Sequence, residues 1–192
     1  MLILASSSPI RRALLDAAGV EVEVRSPRLD EAKVKQAHAG DGPSLARSLA
    51  EGKALSVQAD GDDWLIGSDS VVSVDGRRYS KPLDRADAAA HLAAFSGRTL
   101  TLSSAVALVR AGRVEWSEAD TASLHVRPLS AEFIESYLDA EWPEVAYCVG
   151  VFRLEGRGVN LFERIEGSHF TILGLPLLPL LGALRDRGSM PS

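Results

Sequence analysis

MLILA at residues 1–5 is an unbroken apolar run that predicts a short buried strand. It stops at Ser6-Ser7-Ser8. A helix-like pattern follows, with Pro9 in its first turn, a serine from 6–8 as cap and Gly19 as its end. Val20, Val22 and Val24 alternate with charged residues and predict a half-buried strand. Residues 26–43 are polar and read mostly as loop, after which Ser44 is the expected cap of a helix reaching about Ala54. DWLIGSDSVVSVDG reads as strand, polar break, strand, and Asp75-Gly76 is a hairpin signal. Asp84, with Asp87 as cap partner, starts an alanine-rich helix that ends near Gly97. Strands are expected over 99–109 and 113–127, joined at Gly112. Ser130 caps a helix holding Phe133, Ile134, Tyr137 and Leu138. The last third carries glycine turns, a short helix and a polar tail.

This interleaving predicts an α/β fold with a mixed sheet. One domain over 1–188 is expected, as two lobes around a cleft, with 189–192 as a tail.

Composition narrows the function classes. A formal net charge of -5 argues against a general nucleic-acid binder, yet leaves room for a small anion in a local basic pocket. The single Cys148 excludes an intramolecular disulfide and reads as a small core residue. No apolar run reaches the length of a membrane span; LGLPLLPLLGAL at 173–184 is short and holds two prolines. No membrane partner is expected, and the expected location is the cytoplasm. His38, His91, His125 and His169 lack the spacing of a metal site. Trp64, Trp116 and Trp142 read as core or interface residues.

The opening stretch, LASSSPIRRALL, poses the chemical question. A helix start offers unpaired N–H groups and a positive dipole end, which attract anions. Arg11 and Arg12 in that first turn oppose the dipole unless an anion sits there. The pattern by itself also fits a plain cap followed by two solvated arginines. Lys53 falls near the apolar side of its helix, eight residues after Leu45, and either snorkels or points into a cleft. Asp69 interrupts an apolar run after Gly67, as a turn residue or as a metal or base residue. Pro82 fixes an extended backbone before it and aims Lys81. Asp30-Glu31 adds a further acidic pair. Carboxylates that hold a divalent ion and activate water, with cations that neutralise phosphate oxygens, are the parts of metal-assisted phosphate chemistry.

LILASSSPIRRALLD, LDE, the Lys53 helix, IGSDSVVSVDG, SKPLDRADA, LFERIEG and LGLPL stand in the order found in the Maf family, which this chain resembles over nearly its full length. The resemblance implies a fold similar to that of the inosine-triphosphate pyrophosphatases. It also implies hydrolysis of a nucleoside triphosphate to the monophosphate and pyrophosphate with a divalent cation, Mg2+, Mn2+ or Co2+. A homodimer is implied too, and the family is associated with septum formation. By matching motif, Ser6 and Arg12, with Arg11 beside it, resemble phosphate binders, as do Lys53 and Lys81. Glu31 resembles the metal-facing acidic residue. Asp69 resembles the catalytic carboxylate, orienting water directly or through the metal.

Three positions follow substrate choice in that family and match Ile10, Ser70 and Glu155. Glu155, with the segment GVFRLEGRGVNLFERIEG around it, resembles the branch that acts on 7-methyl-GTP. A carboxylate favours a cationic 7-methylguanine ring and accepts from the guanine N1 and N2 donors. Ile10 and Ser70 match neither that branch nor the one acting on dTTP and UTP. The alternatives are a dTTP/UTP pyrophosphatase and a non-catalytic nucleotide-binding regulator of cell division.

Overall fold

Ile3 and Leu4 are adjacent, wholly buried, and belong to different cores. They lie in β1 (Leu2–Ala5), which pairs in parallel with β2 (Glu23–Val24) and with β3 (Trp64–Val74), in the register Ile3↔Leu65 and Leu4↔Ile66. Side chains alternate across a strand, so Ile3 and Leu65 pack with Ala54 and Val109 on one face. Leu4 and Ile66 pack on the other with Leu15, Val106, Leu108 and Leu184. A sheet covered on both faces explains why MLILA is apolar throughout. Each fully buried leucine or isoleucine contributes about 1.5–3 kcal/mol.

The computed structural model describes residues 1–191; Ser192, the end of the predicted tail, lies outside them. The remaining elements are the helices α1 (Pro9–Ala17), α2 (Glu31–Ala37), α3 (Gly42–Leu55), α4 (Arg85–Phe95), α5 (Ala131–Glu141), α6 (His169–Ile172) and α7 (Leu177–Asp186), two short 3-10 helices (Glu144–Tyr147 and Arg157–Leu161), and the strands β4 (Arg77–Tyr79), β5 (Thr99–Arg110), β6 (Arg113–Val126) and β7 (Phe162–Glu166). The seven strands form one mixed sheet in the order β2-β1-β3-β5-β6-β7, with β4 paired to β3. Two compact units share the chain. The first holds residues 1–70, 103–120 and 168 onward; the second holds 71–102 and 121–167.

In the second unit, β4 pairs antiparallel with β3 through the Asp75-Gly76 turn, where φ is positive at both residues. β7 pairs antiparallel with β6. α4 and α5 lie against each other, and Arg85 ties them by bonds to Glu135 at 2.7 Å and Asp139 at 2.6 Å. Asp84 and Ser130 cap these two helices, accepting from the backbone of Asp87 and Phe133.

Four expectations need correction. Residues 26–43 are not mostly loop: α2 forms there, capped by Asp30, and buries no residue. The cap of α3 is Asp41, whose carboxylate accepts from the Ser44 amide at 2.9 Å. β3 runs without a break through Gly67 and Asp69, because both are paired or packed in place. β2 is only two residues long, since Val20 turns into the core beside α1 instead of joining the sheet.

Candidate active site

The site grows from the C-terminal end of β1 and the middle of its parallel neighbour β3, where Ala5 pairs with Gly67. Helix α3 crosses β3 at that point. A Cβ on Gly67 would lie 2.0 Å from the Ala50 carbonyl oxygen and 2.9 Å from Ala54. Glycine therefore lets the helix backbone approach the strand. Lys53 follows one turn after Ala50 on the inward side of α3, and Asp69 follows Gly67 on β3.

Their side chains meet. Lys53 Nζ lies 3.0 Å from Asp69 Oδ1 and 3.0 Å from Glu31 Oε1. Lys53 is only 8% exposed and Asp69 9%. The lysine therefore does not snorkel to solvent, and the aspartate is not a turn residue; each is buried against the other. Glu31 stands in the first turn of α2 and reaches Lys35 with its other oxygen, at 3.2 Å. Burial works against its charge, but Lys53 and then Lys35 outweigh it and hold the carboxyl below the usual carboxylate range.

The two arginines of the opening stretch divide. Arg11 turns inward and is 8% exposed. It donates from Nε to the Gly174 carbonyl at 2.8 Å, from Nη1 to Ser6 Oγ at 3.2 Å and from Nη2 to Ser70 Oγ at 3.2 Å. Burial pushes its pKa down, while Asp69 and Glu31 pull it up, so this guanidinium sits in the field of both carboxylates. Arg12 points outward; its side chain is 61% exposed and pairs with Asp16 one turn on, at 3.4 Å. The predicted serine cap is absent: Ser8 occupies the cap position of α1 without a side-chain bond. Ser6 instead folds the loop back, accepting from the Ser8 amide at 3.3 Å as well as from Arg11.

A hydroxyl network supports this arrangement. Ser70 Oγ lies 2.8 Å from Ser104 Oγ, which donates to the Thr171 carbonyl at 2.8 Å. Ser68 Oγ donates to the Gly174 carbonyl at 2.9 Å. Gly174 has φ +95, and a Cβ there would lie 3.2 Å from Ser70 Oγ and 3.4 Å from Arg11 Nη2. Its carbonyl thus serves two donors at once. Nothing in the local sequence pattern marks Ser68, Ser104 or the packing role of Gly67; the LGLPL segment at 173–177 is the one visible sign of Gly174.

Ser6, Arg11, Glu31, Lys53, Asp69 and Ser70 are all in the first unit, as are half-buried Ile10 and exposed Arg12. Lys81 and Glu155 belong to the second unit, and both are exposed. They neighbour the same thiol: Cys148 is pushed up to about 11, by burial first and then by Glu155, against Arg153 and Lys81. Cys148 is free and half-buried, not a core residue. Trp64 and Trp116 pack on the first unit's core as expected. Among the described residues no three His, Cys, Asp or Glu side chains cluster as a preformed metal cage, and no helix is long and apolar enough to cross a membrane.

The sequence profile described as "Maf-like protein" matches residues 1–187. The chain belongs to the Maf family. The resemblance carried by SSSPIRR, GSD and KP therefore holds. This Maf chain is 47% identical to a protein of Rhizobium meliloti (strain 1021) named 7-methyl-GTP pyrophosphatase, over 99% of this chain and 98% of that one. A protein of Rhizobium etli with the same name is 48% identical, over 98% and 97% of the two chains. One of Nitrobacter winogradskyi, named nucleoside triphosphate pyrophosphatase, is 46% identical over 97% and 93%. A solved nucleoside-triphosphatase / dITP/XTP pyrophosphatase of Mycobacterium abscessus aligns over 99% of this chain and 97% of its own, at 18% identity and a TM-score of 0.43, a likeness too loose to argue from.

Proposed function

We infer that this Maf protein is a hydrolase that cleaves a nucleoside triphosphate to the monophosphate and pyrophosphate. The observation that carries the reading is the buried Lys53–Asp69 pair, joined by half-buried Glu31, beside the end of β1 and the middle of β3. A carboxylate and a lysine are costly to bury together for packing alone. They supply both halves of phosphoanhydride hydrolysis: an oxygen base for water and a cation for the phosphate charge. Asp69 orients a water for attack at the α-phosphorus. Lys53 balances the departing pyrophosphate, with outward Arg12 and Lys81 as further cations. The loop at Ser6 and the uncapped start of α1 present N–H groups to phosphate oxygens. Arg11, spent on three internal acceptors, shapes that loop.

The donor set also fits a divalent cation. Magnesium keeps several waters and is held by one or two carboxylates together with substrate phosphates, so a three-carboxylate cage is not required. Glu31 and Asp69 would hold it, and it would neutralise phosphate oxygens and polarise the phosphorus centre.

7-Methyl-GTP is the substrate that the chemistry of Glu155 favours, and relatives bearing that name support it. A carboxylate complements a cationic guanine ring and accepts from its N1 and N2 donors. Ile10 and Ser70 are the other two positions assigned to base choice.

The test is pyrophosphate release from 7-methyl-GTP, GTP, CTP, UTP and dTTP with Mg2+, Mn2+ or Co2+. Metal-dependent release with 7-methyl-GTP preferred, falling about a hundredfold or more in Asp69→Asn, is expected. Preference for dTTP or UTP would overturn the substrate. Tight binding without release from any nucleotide would overturn the enzyme in favour of a nucleotide-binding regulator.

A further inference from the structure

Glu141 is 4% exposed, yet it plays no part in the chemistry above. It closes α5 in the second unit. Its Oε2 accepts from Arg153 Nε at 3.2 Å and Nη2 at 2.9 Å, and its Oε1 accepts from the Arg157 backbone amide at 3.4 Å. One buried carboxylate thus grips the chain two residues before and two residues after Glu155. One turn earlier on the same face of α5, the Tyr137 hydroxyl donates to the Val151 carbonyl at 3.0 Å. Val151 has φ 56, a left-handed conformation that a β-branched residue adopts only when held.

The loop between these anchors is tight. The Gly156 amide donates to the Arg153 carbonyl at 3.2 Å. A Cβ on Gly156 would lie 3.4 Å from the Glu141 carboxylate, and one on Gly158 would lie 2.4 Å from the Arg153 carbonyl oxygen. Glycine at 158 lets the chain close on the Arg153 backbone. Glu155 stands at its apex, exposed, between Arg153, whose guanidinium is taken by Glu141, and Arg157, whose backbone amide is. Burying an acid here instead of an apolar residue stabilises little by itself. It does what an apolar residue would not: it fixes the loop by directional bonds to Arg153 and to the Arg157 amide.

We propose that Glu141 is a positioning residue for base selection, clamping residues 153–157 from α5 so that Glu155 is presented in one place. The proposal rests on the reading that Glu155 selects the base.

The experiment is a double-mutant cycle on selectivity, the ratio of kcat/KM for 7-methyl-GTP to that for UTP, in wild type, Glu141→Gln, Glu155→Gln and the double variant. Glu141→Gln should lower selectivity about tenfold, as loss of charge-assisted hydrogen bonds does, through KM for 7-methyl-GTP with kcat little changed. In the Glu155→Gln background it should lower it no further. A merely structural role would reduce kcat for both nucleotides and act equally in both backgrounds. Should Glu141→Gln not fold, Arg153→Gln opens the same clamp from its partially exposed partner and enters the same cycle. If Glu155→Gln shifts selectivity but neither clamp variant does, or the effects add, the clamp is wrong and the role of Glu155 stands. If Glu155→Gln leaves selectivity unchanged, the base-reading role fails and the clamp with it.

Discussion

The Gly67 Cα faces the Ala50 carbonyl so closely that a Cβ would stand 2.0 Å from that oxygen. This contact sets how near α3 comes to β3. It therefore sets the 3.0 Å separation between Lys53 Nζ and Asp69 Oδ1, whose Cα atoms lie three and two residues further along their elements.

Gly67→Ala should push α3 off β3 and separate the pair. The backbone oxygen cannot swing aside as a flexible side chain would. A fall in stability of about 1–3 kcal/mol is expected from overpacking. Pyrophosphate release should drop by more than the loss of folded protein explains, since a misplacement of about 1 Å costs on the order of a hundredfold. Thermal unfolding and single-turnover kinetics on the same preparation check both; full activity in the folded variant would show that the approach of α3 does not set the site.

Arg11 and Arg12 should fail differently on substitution. Arg11→Ala strips bonds from the Gly174 carbonyl, Ser6 and Ser70, and should cost about 2–4 kcal/mol. Arg11→Lys should recover little, because one ammonium cannot serve three acceptors set around a planar fork. Arg12→Ala should leave stability within about 0.5 kcal/mol, since an exposed pair with Asp16 contributes little. Its loss should appear as a raised KM. Chemical denaturation and steady-state kinetics of the three variants separate the two roles. Equal destabilisation by both alanine variants would contradict the inward and outward assignment.

Glu31 carries an acid-side stability term. Its folded pKa lies below the unfolded value near 4.5, because Lys53 and Lys35 outweigh burial. A depressed carboxyl pKa contributes stability that is complete above the unfolded value and is lost as pH falls through the folded one. At 40% side-chain exposure the contribution is screened to no more than about 1 kcal/mol. The melting temperatures of wild type and Glu31→Gln should differ at about pH 6 and converge by about pH 3. A constant gap would mean that Glu31 titrates alike folded and unfolded.

Much of this was legible in the sequence for identifiable reasons. Asp84 and Ser130 cap as their types dictate, and Asp75-Gly76 turns as its pair demands. The order of SSSPIRR, GSD and KP carried the family. What was hidden depends on distant parts of the chain. Nothing local tells Arg11 from Arg12; the Gly174 carbonyl, 163 residues away, decides which turns inward. α2 buries nothing, so it has no apolar period to show. Gly67 and Asp69 resemble a break in a strand until α3 is seen to use the first and Lys53 the second. Glu141 looks like any acidic residue at a helix end, because its partners lie 12 and 16 residues onward in a loop without periodicity.

In the proposed reaction Asp69 directs water to the α-phosphorus. Hydrolysis of 7-methyl-GTP in isotopically heavy-oxygen water, with mass analysis of both products, tests it most directly. One heavy oxygen is expected in the nucleoside monophosphate and none in the pyrophosphate, with the labelled product lost in Asp69→Asn. Label in the pyrophosphate, or labelled monophosphate formed equally fast without the Asp69 carboxylate, would contradict it.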